Sequence, residues 1–214
     1  RQMCIRDSLL ATVAGSVAWF LRDKALTLFT LASVFTAIRN LYSVVTTPPV
    51  DYQIWSWLTD VSYGAVVICL VLFSMTVVQL PRRWLMPLLG LFAIATLILV
   101  SIYAFGRLAA ARQAWLTMQL TVALLANALL LRAWWQQRTR AATILGVAAL
   151  VAVAFGAYDH VTVFYLSDGY SSFALSRYAL PLFTVAMAAV LIDRFGQYAL
   201  RERCLLYTSP SPRD

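Results

Sequence analysis

Ionisable side chains are scarce in these 214 residues: 12% are charged, nine are acidic, and histidine and lysine each occur once. The lone histidine, His160, excludes bis-histidine haem ligation, and no carboxylates are spaced to complete a metal site around it. Lys24 lies in a loop, which excludes a retinal Schiff base in the last apolar run. No Walker, GxGxxG, HExxH, GxSxG or kinase motif occurs, and there is no repeat of 20 to 50 residues or low-complexity tract. The segment is therefore expected to catalyse nothing itself and to need no cofactor. A nucleic-acid partner is not expected either, because such proteins gather their basic residues on one soluble face. Here the basic residues sit between apolar runs.

Two terminal stretches are unlike the rest. Arg1–Ser8 (RQMCIRDS) and Cys204–Asp214 (CLLYTSPSPRD) resemble translated sequencing adapter, the two strands of a transposase mosaic end, and are read as artefact. The remaining residues, 9–203, hold one cysteine, Cys69, so no disulfide can form within them. They carry 14 basic and 7 acidic residues, a net charge of +7. With 62% hydrophobic residues and a mean hydropathy of +0.76, that excess charge belongs at a bilayer.

Apolar stretches of about 18 residues or more cross the hydrocarbon layer as helices, because only a helix satisfies its own backbone there. Seven are predicted: Leu9–Leu21, shortened by the adapter, then Ala25–Val45, Trp55–Leu80, Trp84–Phe105, Ala114–Leu131, Ala141–His160 and Phe173–Ile192. The fold class is thus an all-α polytopic membrane bundle, with residues 9–193 as its seven-helix domain. Arg22-Asp23-Lys24 and Pro81-Arg82-Arg83 make tight basic turns, and Thr46-Thr47-Pro48-Pro49 breaks a helix. Gly106–Arg112 and the tryptophan-bearing Arg132–Arg140 are read as loops, Leu166–Ser172 as a turn, and Pro181 as a kink. Gly64, Gly90, Gly146 and Gly156 favour close helix packing. Gln119 and Asn127 in the fifth span favour hydrogen bonding between helices over a conduction path.

Orientation follows from the basic residues of the short loops. Arg22, Lys24, Arg82, Arg83, Arg132, Arg138, Arg140, Arg194, Arg201 and Arg203 fall on one side, and Arg107, Arg112 and Arg177 on the other. This places the amino terminus outside and the carboxyl terminus in the cytoplasm.

Ionisable groups inside spans are costly and mark functional candidates. Arg39 and Asn40 lie in the outer third of the second span, Asp60 in that of the third, Tyr158, Asp159 and His160 at the outer end of the sixth, and Arg177 with Tyr178 at the outer start of the seventh. Tyr42, Trp55, Trp57 and Tyr63 share that level and offer stacking or cation-π walls. The functional reading is a small-ligand or proton site at the outer mouth, where Arg39 or Arg177 holds an anionic group and Asp60 or Asp159 orients it. His160 serves there as a hydrogen-bonded cap or a pH-sensing group. The competing reading is structural: such charges pair or snorkel, and such rings form an interfacial belt.

Three stretches carry a resemblance. They are Ala37-Ile38-Arg39-Asn40-Leu41-Tyr42 followed by Ile54-Trp55-Ser56-Trp57-Leu58; Gly156-Ala157-Tyr158-Asp159; and Ser176-Arg177-Tyr178 leading into Asp193-Arg194-Phe195. In these the chain resembles the membrane region of bacterial seven-transmembrane receptors with diverse intracellular signalling modules, found in sensor histidine kinases and diguanylate cyclases. Such receptors often have a histidine before the aspartate aligned with Asp159; Tyr158 stands there, and His160 follows. The resemblance implies a homodimer in the bacterial inner membrane, part of a two-component system, in which an outside stimulus shifts the seventh span. Residues 194–203 would begin a signalling helix leading to a catalytic domain. A small transporter or channel fragment is the rival reading. It lacks paired broken helices of the inverted-repeat kind.

Overall fold

The computed structural model describes residues 23–44, 50–80, 82–106, 108–162 and 175–208, without the side chains of 42–44, 176–177 and 199–208. Six helices occupy these residues: α1 (Lys24–Val44), α2 (Tyr52–Val78), α3 (Arg82–Gly106), α4 (Ala109–Gln137), α5 (Arg140–Val161) and α6 (Ser176–Thr208). The predicted first span, the Thr46–Pro49 break and the Leu166–Ser172 turn lie outside the described residues.

Local chemistry sets the helix ends. The Asp23 carboxylate accepts from the amides of Ala25 at 2.6 Å and Leu26 at 3.3 Å, and Asp51 accepts from Gln53 at 2.8 Å. Thr139 accepts from Ala142 at 3.3 Å. Each occupies an amide that the first helical turn leaves without a partner. Two ends close on left-handed residues, Gln79 at φ 56° after α2 and Arg138 at φ 47° after α4. Inside the helices, serine and threonine hydroxyls donate back to the carbonyl four residues earlier, as Ser33 does to Phe29 at 2.9 Å and Ser62 to Leu58 at 2.7 Å. This satisfies them without water.

Successive helices pack antiparallel, α1 against α6 closes the bundle, and α2 is central, touching α1, α3, α4 and α5. One end of the bundle gathers the final turns of α1, α3 and α5 with the first turns of α2, α4 and α6 and is called the Asp60 end. The other, the Arg82 end, gathers the α2–α3 and α4–α5 connections. The apolar core is concentrated toward the latter, where Phe73, Leu145, Met187 and Val190 are fully or almost fully buried among Phe29, Leu85, Leu130 and Phe183.

Outside, the bundle is apolar. Leu91, Ile94, Ile98, Val147, Leu150, Val185 and Ile192 are all more than half exposed, an arrangement that soluble surfaces avoid in contiguous patches. Among the described residues, five helices, α2 to α6, are long and apolar enough to cross a membrane. The surface is that of a multi-pass protein in contact with lipid.

Three expectations need correction. The stretches read as loops at Gly106–Arg112 and Arg132–Arg140 are mostly helical: α4 runs from Ala109 to Gln137, because interfacial arginines and tryptophans extend a helix as readily as they end one. Helix α6, which holds Pro181 in its second turn, continues well beyond the predicted span end at Ile192. Of the glycines, only Gly64 serves close packing, since an added Cβ would stand 2.7 Å from Thr96 Cγ2, whereas nothing lies within 4 Å of such an atom at Gly90 or Gly146.

Candidate functional site

Four helices contribute to a polar and aromatic cluster at the Asp60 end. On α2, Asp60, Tyr63 and Gly64 follow at helical i, i+3 and i+4 spacing and share one face. From α1, the Arg39 guanidinium carbon sits 3.9 Å over the Tyr63 ring centroid. The edge of that ring pair is completed by Trp115 of α4, with centroids 6.1 Å apart and planes at 78°. A ring quadrupole holds a cation over its face and favours such T-shaped aromatic contacts. The stack thus joins α1, α2 and α4.

Arg112 lies one turn before Trp115, with its guanidinium carbon 5.6 Å from the Tyr103 ring of α3. Both Arg112 and Arg39 act electrostatically on the half-buried Asp60. Neither closes on it as an ion pair, and among the described residues no hydrogen bond engages that carboxylate. Two cations facing one carboxylate leave a single positive charge in excess, the condition for holding an anion. Trp57 fastens the rim by donating from Nε1 to Ser101 Oγ at 3.0 Å, which ties α2 to α3.

Of the other predicted residues, Tyr158, Asp159, His160 and Tyr178 lie at the facing ends of α5 and α6, and Asn40 follows Arg39 on α1. Asp159 accepts from the Leu175 amide at 2.9 Å, so its carboxylate holds the start of α6. Tyr158 is exposed, its carbonyl accepting from Thr162 Oγ1 at 2.8 Å, while Asn40 and His160 are half-buried and Tyr178 is exposed. The side chain of Arg177, like that of Tyr42, lies outside the described residues. Arg39 and Asp60 are therefore brought to one aromatic pair, and Asp159 is assigned to a helix junction.

Comparison with protein-family models, with curated proteins and with solved structures finds no match to this chain. The site therefore rests on its own geometry.

Arg112, Trp115 and Tyr103 were missed as site residues. Arg112 counts in the sequence only as a loop charge, and its role becomes visible once α4 is known to begin at Ala109. Depth counting was the available signal, since Trp115 lies about 9 Å along α4 from its outer start at 1.5 Å per residue.

Among the described residues the interhelical hydrogen bonds expected of Gln119 and Asn127 do not form: both atoms of the Gln119 amide, the Asn127 Oδ1 and the Trp115 Nε1 are buried without a partner there. A separate groove of about 680 Å³ lies along α3 and α4, lined by Leu88, Gln113, Thr117, Met118 and Thr121 among others. None of the predicted site residues lines it.

Proposed function

We propose that this chain is the transmembrane sensory region of a bacterial receptor of the sensor histidine kinase type. It forms seven spans in the inner membrane with the amino terminus outside, works as a homodimer and lacks catalytic activity of its own. The ligand is a small anion received at the outer mouth, where Arg39, Asp60 and Arg112 surround the Tyr63 and Trp115 rings. The observation that carries this reading is the Arg39 guanidinium at 3.9 Å over Tyr63, in one cluster with a carboxylate that has no direct partner among the described residues. Asn40, Tyr158, His160, Arg177 and Tyr178 complete the outer ring of polar groups.

Relay runs through the last helix. Asp159 holds the amide at the head of α6, and α6 runs on through residues 176–203 as one helix, so a displacement at its outer end is passed along it to its inner end. Ligand binding shifts such an equilibrium only by its differential affinity for the two positions.

The test is to read the source DNA in frame beyond the codon for Arg203. A coiled coil, a phosphoacceptor histidine and an ATP-binding domain uphold the sensor kinase, and a GGDEF domain replaces it with a diguanylate cyclase. A stop codon within a few residues overturns the receptor reading. It favours the transporter fragment, for which the unpartnered Gln119 and Asn127 on the buried face of α4 are the specific supporting observation.

A further inference from the structure

The Arg82 end of the bundle holds a second built feature, independent of the sensory reading and dependent only on the chain lying in a bilayer. The α2–α3 and α4–α5 connections are fastened side by side. Gln137 Nε2 donates to the Val78 carbonyl at 3.2 Å, and Leu80 is buried in the same cluster as Leu130, Ala133 and Leu85. Each turn is closed by a left-handed residue, and the Arg138 amide donates to the Trp134 carbonyl at 2.9 Å. Trp134 in turn donates from Nε1 to Thr143 Oγ1 at 2.9 Å, joining α4 to α5.

This double turn displays Arg82, Arg83, Arg132, Arg138 and Arg140, all exposed. From Val61 to Tyr158 the chain contains no aspartate or glutamate. The described carboxylates at this end are already engaged, Asp23 by the α1 amides and Asp193 by Gln197 Nε2 at 3.0 Å. Among the described residues no ion pair engages these five arginines. Trp84 and Trp135 flank them, 77% and 71% exposed, and the lipid-facing Met86 and Leu91 follow Trp84 along α3.

We infer that the paired α2–α3 and α4–α5 turns form a binding site for the phosphates of anionic phospholipids, with Arg83, Arg138 and Arg140 as its principal contacts. The guanidinium fork matches two phosphate oxygens at once, which an ammonium does not. The tryptophan rings occupy the headgroup level, and the apolar face beyond them accepts the acyl chains. A soluble phosphate or an acidic protein segment would use the arginines but leave that apolar face unused. The fastening of the turns holds the cations together before a lipid arrives, which lowers the ordering cost of binding.

The experiment is native mass spectrometry of the full chain extracted with an equal mixture of phosphatidylglycerol and phosphatidylcholine. The unaltered protein is expected to retain phosphatidylglycerol preferentially, with the preference falling as salt is raised. Combined Arg83→Gln, Arg138→Gln and Arg140→Gln substitution is expected to weaken retention by about tenfold or more. Arg107→Gln, between α3 and α4, is expected to leave it unchanged. Equal retention of both lipids by the unaltered protein overturns the inference, as does displacement of the lipid by inorganic phosphate at an ionic strength where sodium chloride leaves it bound. If the triple glutamine protein fails to fold, the lysine triple variant, which keeps charge but loses the fork, decides the point: weakened retention supports the site, and native retention reduces it to a charged surface.

Discussion

At Gly64 the packing of α2 on α3 leaves no room for a methyl group, since the added Cβ would meet Thr96 Cγ2 at 2.7 Å. Gly64→Ala is expected to lower stability by about 1–3 kcal/mol. Adding Thr96→Ser removes the opposing methyl and should restore most of the loss in thermal unfolding in detergent. Arg39 and Tyr63 give a second prediction. A double-mutant cycle of Arg39→Gln and Tyr63→Leu should show coupling of about 0.5–2 kcal/mol, the range of partly desolvated cation-π contacts. A coupling near zero would mean that the 3.9 Å approach contributes nothing to the site. Gln119 supplies a third. With both amide atoms buried and unpaired, Gln119→Leu should raise stability or leave it unchanged; clear destabilisation would show that the amide is satisfied in the membrane. Arg39 and Asp60 stood out in the sequence as candidates because charges inside apolar runs are conspicuous. Trp115 was not, because a tryptophan near a span end reads equally well as an interfacial anchor.

Among the elements, α2 and α4 show how far a pattern reaches. Apolar runs located both helices, and the end residues were misjudged by several positions at each end of α4, where arginine, glutamine and tryptophan continue the helix at the interface. The stops are conformational. Gln79 adopts φ 56° without being glycine, so Gln79→Gly should relieve left-handed strain and raise stability by about 0.5–1 kcal/mol in the same unfolding assay, net of the entropy that glycine adds to the unfolded chain. Pro81 marked the turn in the sequence, but not the left-handed conformation of Gln79, which the pattern of apolar residues does not encode. Asp159 is similar. It reads in the sequence as a ligand group, and in the structure its carboxylate accepts from the Leu175 amide at the head of α6.

For the molecule as a whole, the apolar exterior and the concentration of arginine at the Arg82 end bear on topology. In sealed vesicles, with Cys4, Cys69 and Cys204 replaced by serine, Gly106→Cys should be labelled by a membrane-impermeant thiol reagent from outside and Gln136→Cys only after the vesicles are opened. The reverse pattern would refute the proposed orientation and move the Arg39 and Asp60 cluster to the cytoplasmic face.

Composition by itself determined that the chain is a helical membrane protein. Stretches this apolar must satisfy their backbone internally, and that requirement depends on local sequence alone. The depth of Arg39 and Asp60 was equally local, being a count of residues from a span end. Only the tertiary structure decided which polar groups meet: that Arg39 lies on Tyr63, that Trp115 and Arg112 join them from α4, and that two arginine-bearing turns stand together. Those contacts depend on the rotation and pairing of six helices, and nearly uniform Leu, Val and Ala faces encode neither until the side chains are packed.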